Sequence, residues 1–222
     1  MSKPSLVIFD LDNTILNGDS DYAMVNYLVQ TNILDESAAI QNQQFIEDYN
    51  RGELDFDAYT SFALSAYIGL TLEEINQLIL PFVAKVIEPL INIFALKMIH
   101  DHGDQGDTIL LASATNELIV RPIAQRLDIP NVIGTQVEFI NNQCSGAYIP
   151  PSALGAGKLE LVTQWMARND YTEFEDVTFY SDSINDLPLL EAVGHPKVVS
   201  PDPALEKIAA ARGWTIINLP RI

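Results

Sequence analysis

Cysteine is almost missing from the 222-residue chain. With Cys144 alone, no intrachain disulfide can form, and no metal-ligand spacing surrounds it, so it reads as a buried or incidental thiol. Basic residues are scarce: twelve lysines and arginines stand against thirty acids, a formal net charge of −18. Nucleic-acid backbones and anionic membrane surfaces need clustered lysine and arginine, so both partners are excluded. The three histidines, His100, His102 and His195, have no ligand spacing and read as surface residues. No apolar run is long enough to span a bilayer. The most apolar stretch, 75–99, is interrupted by Pro81, Lys85, Glu88 and Pro89 and reads as two packed helices. The first apolar run is broken by Asp10, too early for a signal peptide. These absences leave the expectation of a soluble, cytoplasmic protein.

Apolar residues make up 48% of the chain, enough for one large domain or a core with a smaller insert. The stretch 6–14, LVIFDLDNT, organises the rest. Its apolar start is too short for a helix and reads as a buried strand. It ends in two acids, Asp10 and Asp12, one residue apart. Open α/β sheets bind ligands at such strand ends. Two acids this close repel unless a cation or a proton lies between them.

A helical region without strand signals follows. Asp35 with Ser37 caps one helix, Gly52 interrupts it, and Asp55 or Asp57 starts another. Thr71 and Glu74 form a capping-box pattern, and Pro81 ends or kinks that helix. From Pro89 onward strands and helices alternate. Helices are expected over 90–102, 117–127, 155–168, 187–193 and 203–212. Strands are expected over 108–112, 131–134, 177–180, 197–199 and 214–217, and a hairpin over 137–140 and 146–149 joined by NNQCS. The alternation predicts an α/β fold: a Rossmann-like parallel sheet core, 1–17 and 89–222, with an all-helical cap inserted over 18–88. That cap holds twelve acids and two bases, Arg51 and Lys85.

The chemistry-bearing residues sit just past strands: Asp10 and Asp12 after the first, Ser113 after 108–112, Asp182 and Asp186 after 177–180. Lys158 opens a helix. Carboxylates without nearby His or Cys suit a hard cation such as Mg2+. A lysine, a hydroxyl and backbone N–H groups suit a phosphoryl group. Singly, each has a bland explanation: a turn, a helix cap, a solvated lysine. GAGK at 155–158 fails as a nucleotide loop, because Ser152, Leu159 and Glu160 occupy the positions where a Walker or dinucleotide loop needs other residues.

The ordered set resembles the haloacid dehalogenase superfamily, in its phosphatase branch with a helical cap, the branch of phosphoserine phosphatase. Asp10-Leu11-Asp12-Asn13-Thr14, Ser113, Lys158 and Asp182-Ser183-Ile184-Asn185-Asp186 stand in family order over nearly the whole chain. The resemblance implies that Asp10 is the nucleophile and Asp12 the general acid and base. It implies Mg2+ on Asp10, the Asp12 carbonyl and Asp182, with Asp186 in or behind that set. Ser113 and Lys158 would hold phosphoryl oxygens, helped by the N–H groups of Leu11, Asp12 and Ala114 and by Asn185. In this branch the cap selects the leaving group. Asp19 stands where an acid for a substrate amine belongs, and Arg51, the only cap arginine, is the second cap candidate for substrate contact, although it lies before the helix where a carboxylate-binding arginine is expected. The expected substrate is a small phosphorylated metabolite with a cationic or neutral leaving group, such as histidinol phosphate or another amino-alcohol phosphate, for a monomer or homodimer. The alternatives are phosphoserine itself, a phosphomutase or phosphotransferase of the same superfamily, and a non-catalytic phospho-accepting module.

Overall fold

The computed structural model describes residues 4–220. The first strand, β1 (Leu6–Phe9), is fully buried. Leu6 and Ile8 face one core cluster while Val7 and Phe9 face the other, so the strand has no polar side. Four helices follow: α1 (Ser20–Gln30), α2 (Glu36–Arg51), α3 (Phe56–Leu64) and α4 (Leu72–Phe82). Short polar side chains start each one. Asp19, Asp35 and Asp55 cap the first three, and Thr71 and Glu74 form the expected capping box on α4. Gly52 ends α2 in the left-handed conformation. Pro81 lies inside α4, and the chain beyond winds as a wider turn over Val83–Ile87.

The chain leaves and re-enters the sheet region at one seam. Leu16 bridges Ile91, the Asn92 N–H donates to the Ile15 carbonyl, and the Asn17 N–H donates to the Leu90 carbonyl. Asn92 then caps α5 (Ile93–Asp104). This helix starts later than its apolar pattern suggests, because Pro89 belongs to a separate tight turn, Glu88–Leu90.

Next come β2 (Thr108–Asn116), α6 (Glu117–Arg126), β3 (Asn131–Thr135), β4 (Val137–Ile140) and β5 (Gln143–Tyr148). The hairpin turn is only Asn141 and Asn142, both at positive φ, so β5 begins three residues earlier than expected. The hairpin meets the inserted helices: Cys144 exchanges backbone bonds with Gly69 and Leu70, and the Tyr148 hydroxyl donates to Asp57 at 2.7 Å. The remaining elements are α7 (Ala156–Arg168), β6 (Thr178–Ser181), α8 (Leu187–Ala192), β7 (His195–Val199), α9 (Pro203–Arg212) and β8 (Thr215–Ile217).

The main sheet is parallel, in the order β3-β2-β1-β6-β7-β8. Without the hairpin this is the doubly wound order, and it reverses direction between β1 and β6, where such sheets open a crevice. Among the described residues, no helix is long and apolar enough to cross a membrane. Two of the three histidines are exposed as expected. His102 is the exception: it is half-buried, within 2.8 Å of Asp107 and 3.0 Å of the Tyr180 hydroxyl. Tyr180 stacks on Phe9, so this trio closes one face of the sheet behind Asp10.

The GAGK stretch has a packing explanation. Gly155 sits at φ 57°, and a Cβ on Gly157 would lie 2.0 Å from the Ser152 carbonyl oxygen. Only glycine lets α7 start this close to the preceding loop. Gly157→Ala should therefore destabilise the protein by about 1–3 kcal/mol, the cost of an overpacked site. Urea denaturation measures it, and a wild-type midpoint would contradict the packing argument.

Candidate active site

Asp10 follows β1 and is buried, with its N–H tied to the Tyr180 carbonyl. Lys158, from the first turn of α7, is 2% exposed and bridges Asp10 (2.8 Å) and Asp186 (2.7 Å). A solvated helix lysine is thus ruled out. The Ser181 hydroxyl donates to Asp186 at 2.7 Å, so Lys158 and Ser181 engage both Asp186 oxygens. Asp182 accepts from the Thr14 hydroxyl at 3.1 Å. Behind this loop, Asp202 accepts the Ile184 N–H at 2.6 Å, while its own N–H donates to the Asp182 carbonyl.

Asp12 faces the inserted helices. One oxygen accepts the Ser20 N–H at 2.6 Å, at the start of α1, and the other accepts the Thr115 hydroxyl at 2.8 Å. Ser113 lies 3.4 Å from the same oxygen. Ser113 does not follow the strand, as the sequence suggests, but sits within β2. The β2–β3 register shifts between Ala112 and Asn116, and Ser113 and Thr115, two residues apart on one side of the strand, both reach the same Asp12 oxygen.

Asp10, Asp12, Ser113, Thr115, Lys158, Asp182, Asp186 and Asp202 line one cavity of about 300 Å³. Asp19 and Asn185 line it, and so does Ala114. Leu11 is buried beneath it. Arg51 does not reach it. Its guanidinium is exposed and paired with Asp48 and Glu53, which corrects its expected place in substrate binding. Several lining residues were not singled out in the sequence: Asp21, Phe45, Tyr49, Phe56 and Tyr59 from the helical insert, and Thr115. The Tyr49 hydroxyl lies 3.2 Å from Ser183, joining α2 to the loop after β6. Asp21 alone had a legible hint, because it follows Asp19 by two residues at a helix start.

The electrostatics are lopsided. Among the described lining residues there are seven aspartates and one lysine, with no arginine. Burial pushes Asp10 up to about 7, against Lys158 and with help from Asp186 and Asp12. Burial and Asp19 push Asp12 up to about 6, against the Ser20 and Thr115 hydrogen bonds. Burial raises Asp182 well above the carboxylate range, and Asp10 and Asp186 add to it. Asp19 and Asp21 are raised too, again chiefly by burial. Burial alone would lower Lys158, but Asp10 and Asp186 outweigh it and hold the ammonium charged.

Lys158 pairs with Asp10 and Asp186, and Asp182 interacts with both acids, so three carboxyl groups share one ammonium. Oxygen donors with that excess fit a hard divalent cation. Among the described residues, no three His, Cys, Asp or Glu side chains form a metal-holding group. That agrees with Asp186 being occupied by Lys158 and Ser181, and it leaves Asp10 and Asp182 as the side-chain donors.

Without a cation these shifts set a pH dependence. An acid raised in the folded state binds protons that the unfolded chain has released, so stability falls as pH rises. The window runs from 3.8, the ordinary value, to about 7 for Asp10 and to about 6 for Asp12. In chelator, the protein should melt higher at pH 5 than at pH 7.5, by about 1–4 kcal/mol in stability. Scanning calorimetry with and without Mg2+ tests this; a melting point that rises toward pH 7.5 in chelator would contradict it.

Comparison with known proteins agrees with this arrangement. A family described as haloacid dehalogenase-like hydrolase matches residues 7–191. The histidinol-phosphatase of Neisseria meningitidis is 39% identical over 218 residues, covering 96% of this chain and 98% of that protein. A probable phosphatase of Mycobacterium tuberculosis is 30% identical over 216 residues, 96% of this chain and 75% of that one. The crystal structure of a protein of unknown function from Bordetella pertussis superposes with a TM-score of 0.88 at 34% identity, over 97% of this chain and 99% of the other. A substrate-bound phosphoserine phosphatase, at 16% identity, shares the fold with a TM-score of 0.70 over 98% and 94%.

Proposed function

The chain belongs to the haloacid dehalogenase-like hydrolases and is a phosphatase of that family, and we propose that it hydrolyses amino-alcohol phosphates, histidinol phosphate foremost, through an aspartyl-phosphate on Asp10. One observation carries the substrate class. The cavity places Asp19 and Asp21 with aromatic side chains beyond the phosphoryl end, and no described arginine lines it to receive a carboxylate. A leaving group that brings an ammonium meets acceptors there, whereas one that brings a carboxylate meets like charge. The 39% identity to a histidinol-phosphatase over nearly both chains supports the same class.

In this reading Asp10 attacks phosphorus in line, and the bond to the leaving oxygen breaks as the Asp12 carboxyl gives that oxygen its proton. Asp12 then takes a proton from water, the hydroxide attacks phosphorus, and the bond to Asp10 breaks, releasing inorganic phosphate. The value of about 6 suits a group that both gives and takes a proton near neutrality. Its two hydrogen bonds, from Ser20 and Thr115, fix the direction of that transfer. Lys158 and Ser113 hold the transferring oxygens, with the N–H groups of Leu11, Asp12 and Ala114 and the side chain of Asn185. Asp10, the Asp12 main-chain carbonyl and Asp182 are the groups that would hold Mg2+, with Asp186 behind them fixing Lys158. When bound, the ion offsets the charge that otherwise keeps a phosphate away from Asp10. Residues 18–88 act as the cap that selects the leaving group. A small phosphorylated substrate and a single thiol fit a cytoplasmic enzyme.

Phosphate release across a panel of phosphoesters with Mg2+ tests the reading. Histidinol phosphate should exceed phosphoserine in kcat/KM by about 10²-fold or more, on the scale by which polar mismatch rejects a substrate. Preference for phosphoserine would defeat the substrate class. Lys158→Ala should lower turnover by roughly 10²–10³, the scale of one preorganised donor. Asp10→Asn should abolish covalent labelling by substrate phosphate; labelling that persists would move the nucleophile elsewhere.

A further inference from the structure

At its cap end the cavity shares Asp21, Phe56, Tyr59 and Ala114 with a small side chamber, closed further by Asn116 and Thr135. The chamber measures about 10 Å³, room for one water-sized group. Asn116 ends β2 and is 4% exposed. Its Nδ2 donates to one Asp21 oxygen at 2.9 Å. That contact sets the amide orientation, since the reverse would press the amide oxygen against a carboxylate. The Asn116 Oδ1 is then buried with no hydrogen-bond partner. Buried acceptors are almost always satisfied, so an orphan beside a ligand cavity points to a donor that arrives with the ligand. Asp21 is also buried, and no described lysine, arginine or histidine lines the chamber.

The chamber has a fixed relation to the reacting end. Thr115 holds Asp12, and the next residue, Asn116, holds Asp21. Asp19 and Asp21 lie on the same helix start, one as the cap of α1 and the other in its first turn. Phe56 and Tyr59 also line the main cavity, where their flat faces suit a planar ring whose N–H alone reaches into the chamber.

We propose that Asp21 and Asn116 form a second recognition point for the leaving group: they accept from the N–H of a planar heteroaromatic ring of imidazole type, while Asp19 takes the ammonium nearer the ester. The inference rests on the amino-alcohol reading above and assigns to it a pair of residues. Asp21 is in this sense a specificity residue: its carboxylate selects the ring nitrogen and leaves phosphoryl transfer to Asp10 and Asp12.

The test compares histidinol phosphate with phenylalaninol phosphate, which keeps phosphate, ammonium and ring but lacks the ring N–H. The wild-type enzyme with Mg2+ should favour histidinol phosphate by about 10²-fold in kcat/KM. Asp21→Asn and Asn116→Ser should each cut that ratio to about tenfold or less, through KM for histidinol phosphate, and should weaken calorimetric binding of the alcohol histidinol. If Asp21→Asn melts too low to assay, Asn116→Ser decides. A wild-type ratio near one, or a ratio unchanged in the variants, overturns the proposal and makes the chamber a water site; turnover of both amino-alcohol phosphates ahead of phosphoserine would then leave the wider reading standing. If neither amino-alcohol phosphate is hydrolysed, the wider reading fails and the proposal with it.

Discussion

The ammonium of Lys158 holds the structure's most crowded charges together. It is the only cation lining the described cavity, and it lies between Asp10 and Asp186 at less than 3 Å from each. Removing one partner of such a buried pair costs more than the pair contributes, because the other charge is left uncompensated. Much of the nearby backbone serves that contact. Parallel strands β1 and β6 end side by side and deliver Asp10 and Asp186 from either side of the sheet's reversal point. Gly157 lets α7 start against the Ser152 carbonyl, and Lys158 follows it directly into the core. The glycines of GAGK are thus explained by packing and not by a nucleotide.

The second constraint ties the helical insert to the chemistry. Asp12 is held on one side by Thr115 from the sheet and on the other by the N–H of Ser20 at the start of α1. A helix N-terminus favours negative charge, which opposes part of the upward push that burial gives this carboxyl. Movement of α1 would alter both the cavity wall and the proton-carrying group. The seam at Leu16 and Ile91, the Tyr49–Ser183 contact and the hairpin contacts of Cys144 and Tyr148 hold the insert to the sheet domain. On the proposed mechanism, substrate selection and proton transfer are therefore linked through one helix start.

Much of this was legible in the sequence because it is local. β1 shows as an apolar run cut off by an acid, and the caps at Asp35, Asp55 and Thr71 are short-range patterns with a direct physical cause. The strand-end acids could be placed at one sheet edge from the strand–helix alternation alone. What stayed hidden depends on distant partners or irregular backbone. Ser113 reads as a residue after a strand because nothing local announces the register shift that keeps β2 going to Asn116. Lys158 was legible as a phosphoryl-binding candidate, but not its burial between two acids 148 and 28 residues away, which only the fold brings about. Arg51 attracts attention as the only cap arginine, yet its neighbours Asp48 and Glu53 hold it outside. His102 has no ligand spacing, but Tyr180, 78 residues on, covers it. Asn116 becomes informative only once its orphaned oxygen is seen.

An acidic cavity for an acidic substrate looks self-defeating, and the contradiction resolves by position. In the proposed function the phosphoryl group meets the one end that has Lys158 and an oxygen set suited to a divalent ion. On the proposed reading the leaving group meets Asp19 and Asp21, which no basic side chain among the described lining residues offsets. A carboxylate placed there, about 4 Å from an aspartate at an effective dielectric of about 20, would cost about 4 kcal/mol. That is roughly a thousandfold in rate or affinity, a rejection of phosphoserine-like esters that needs no steric block. An ammonium in the same place reverses the sign. The net charge of −18 extends the same bias to the encounter, slowing anions in general and least disfavouring a phosphate that carries its own cation. The excess of acid that appears in the composition as a mere scarcity of lysine and arginine is thus, on the proposed substrate class, the physical basis of discrimination inside the cavity.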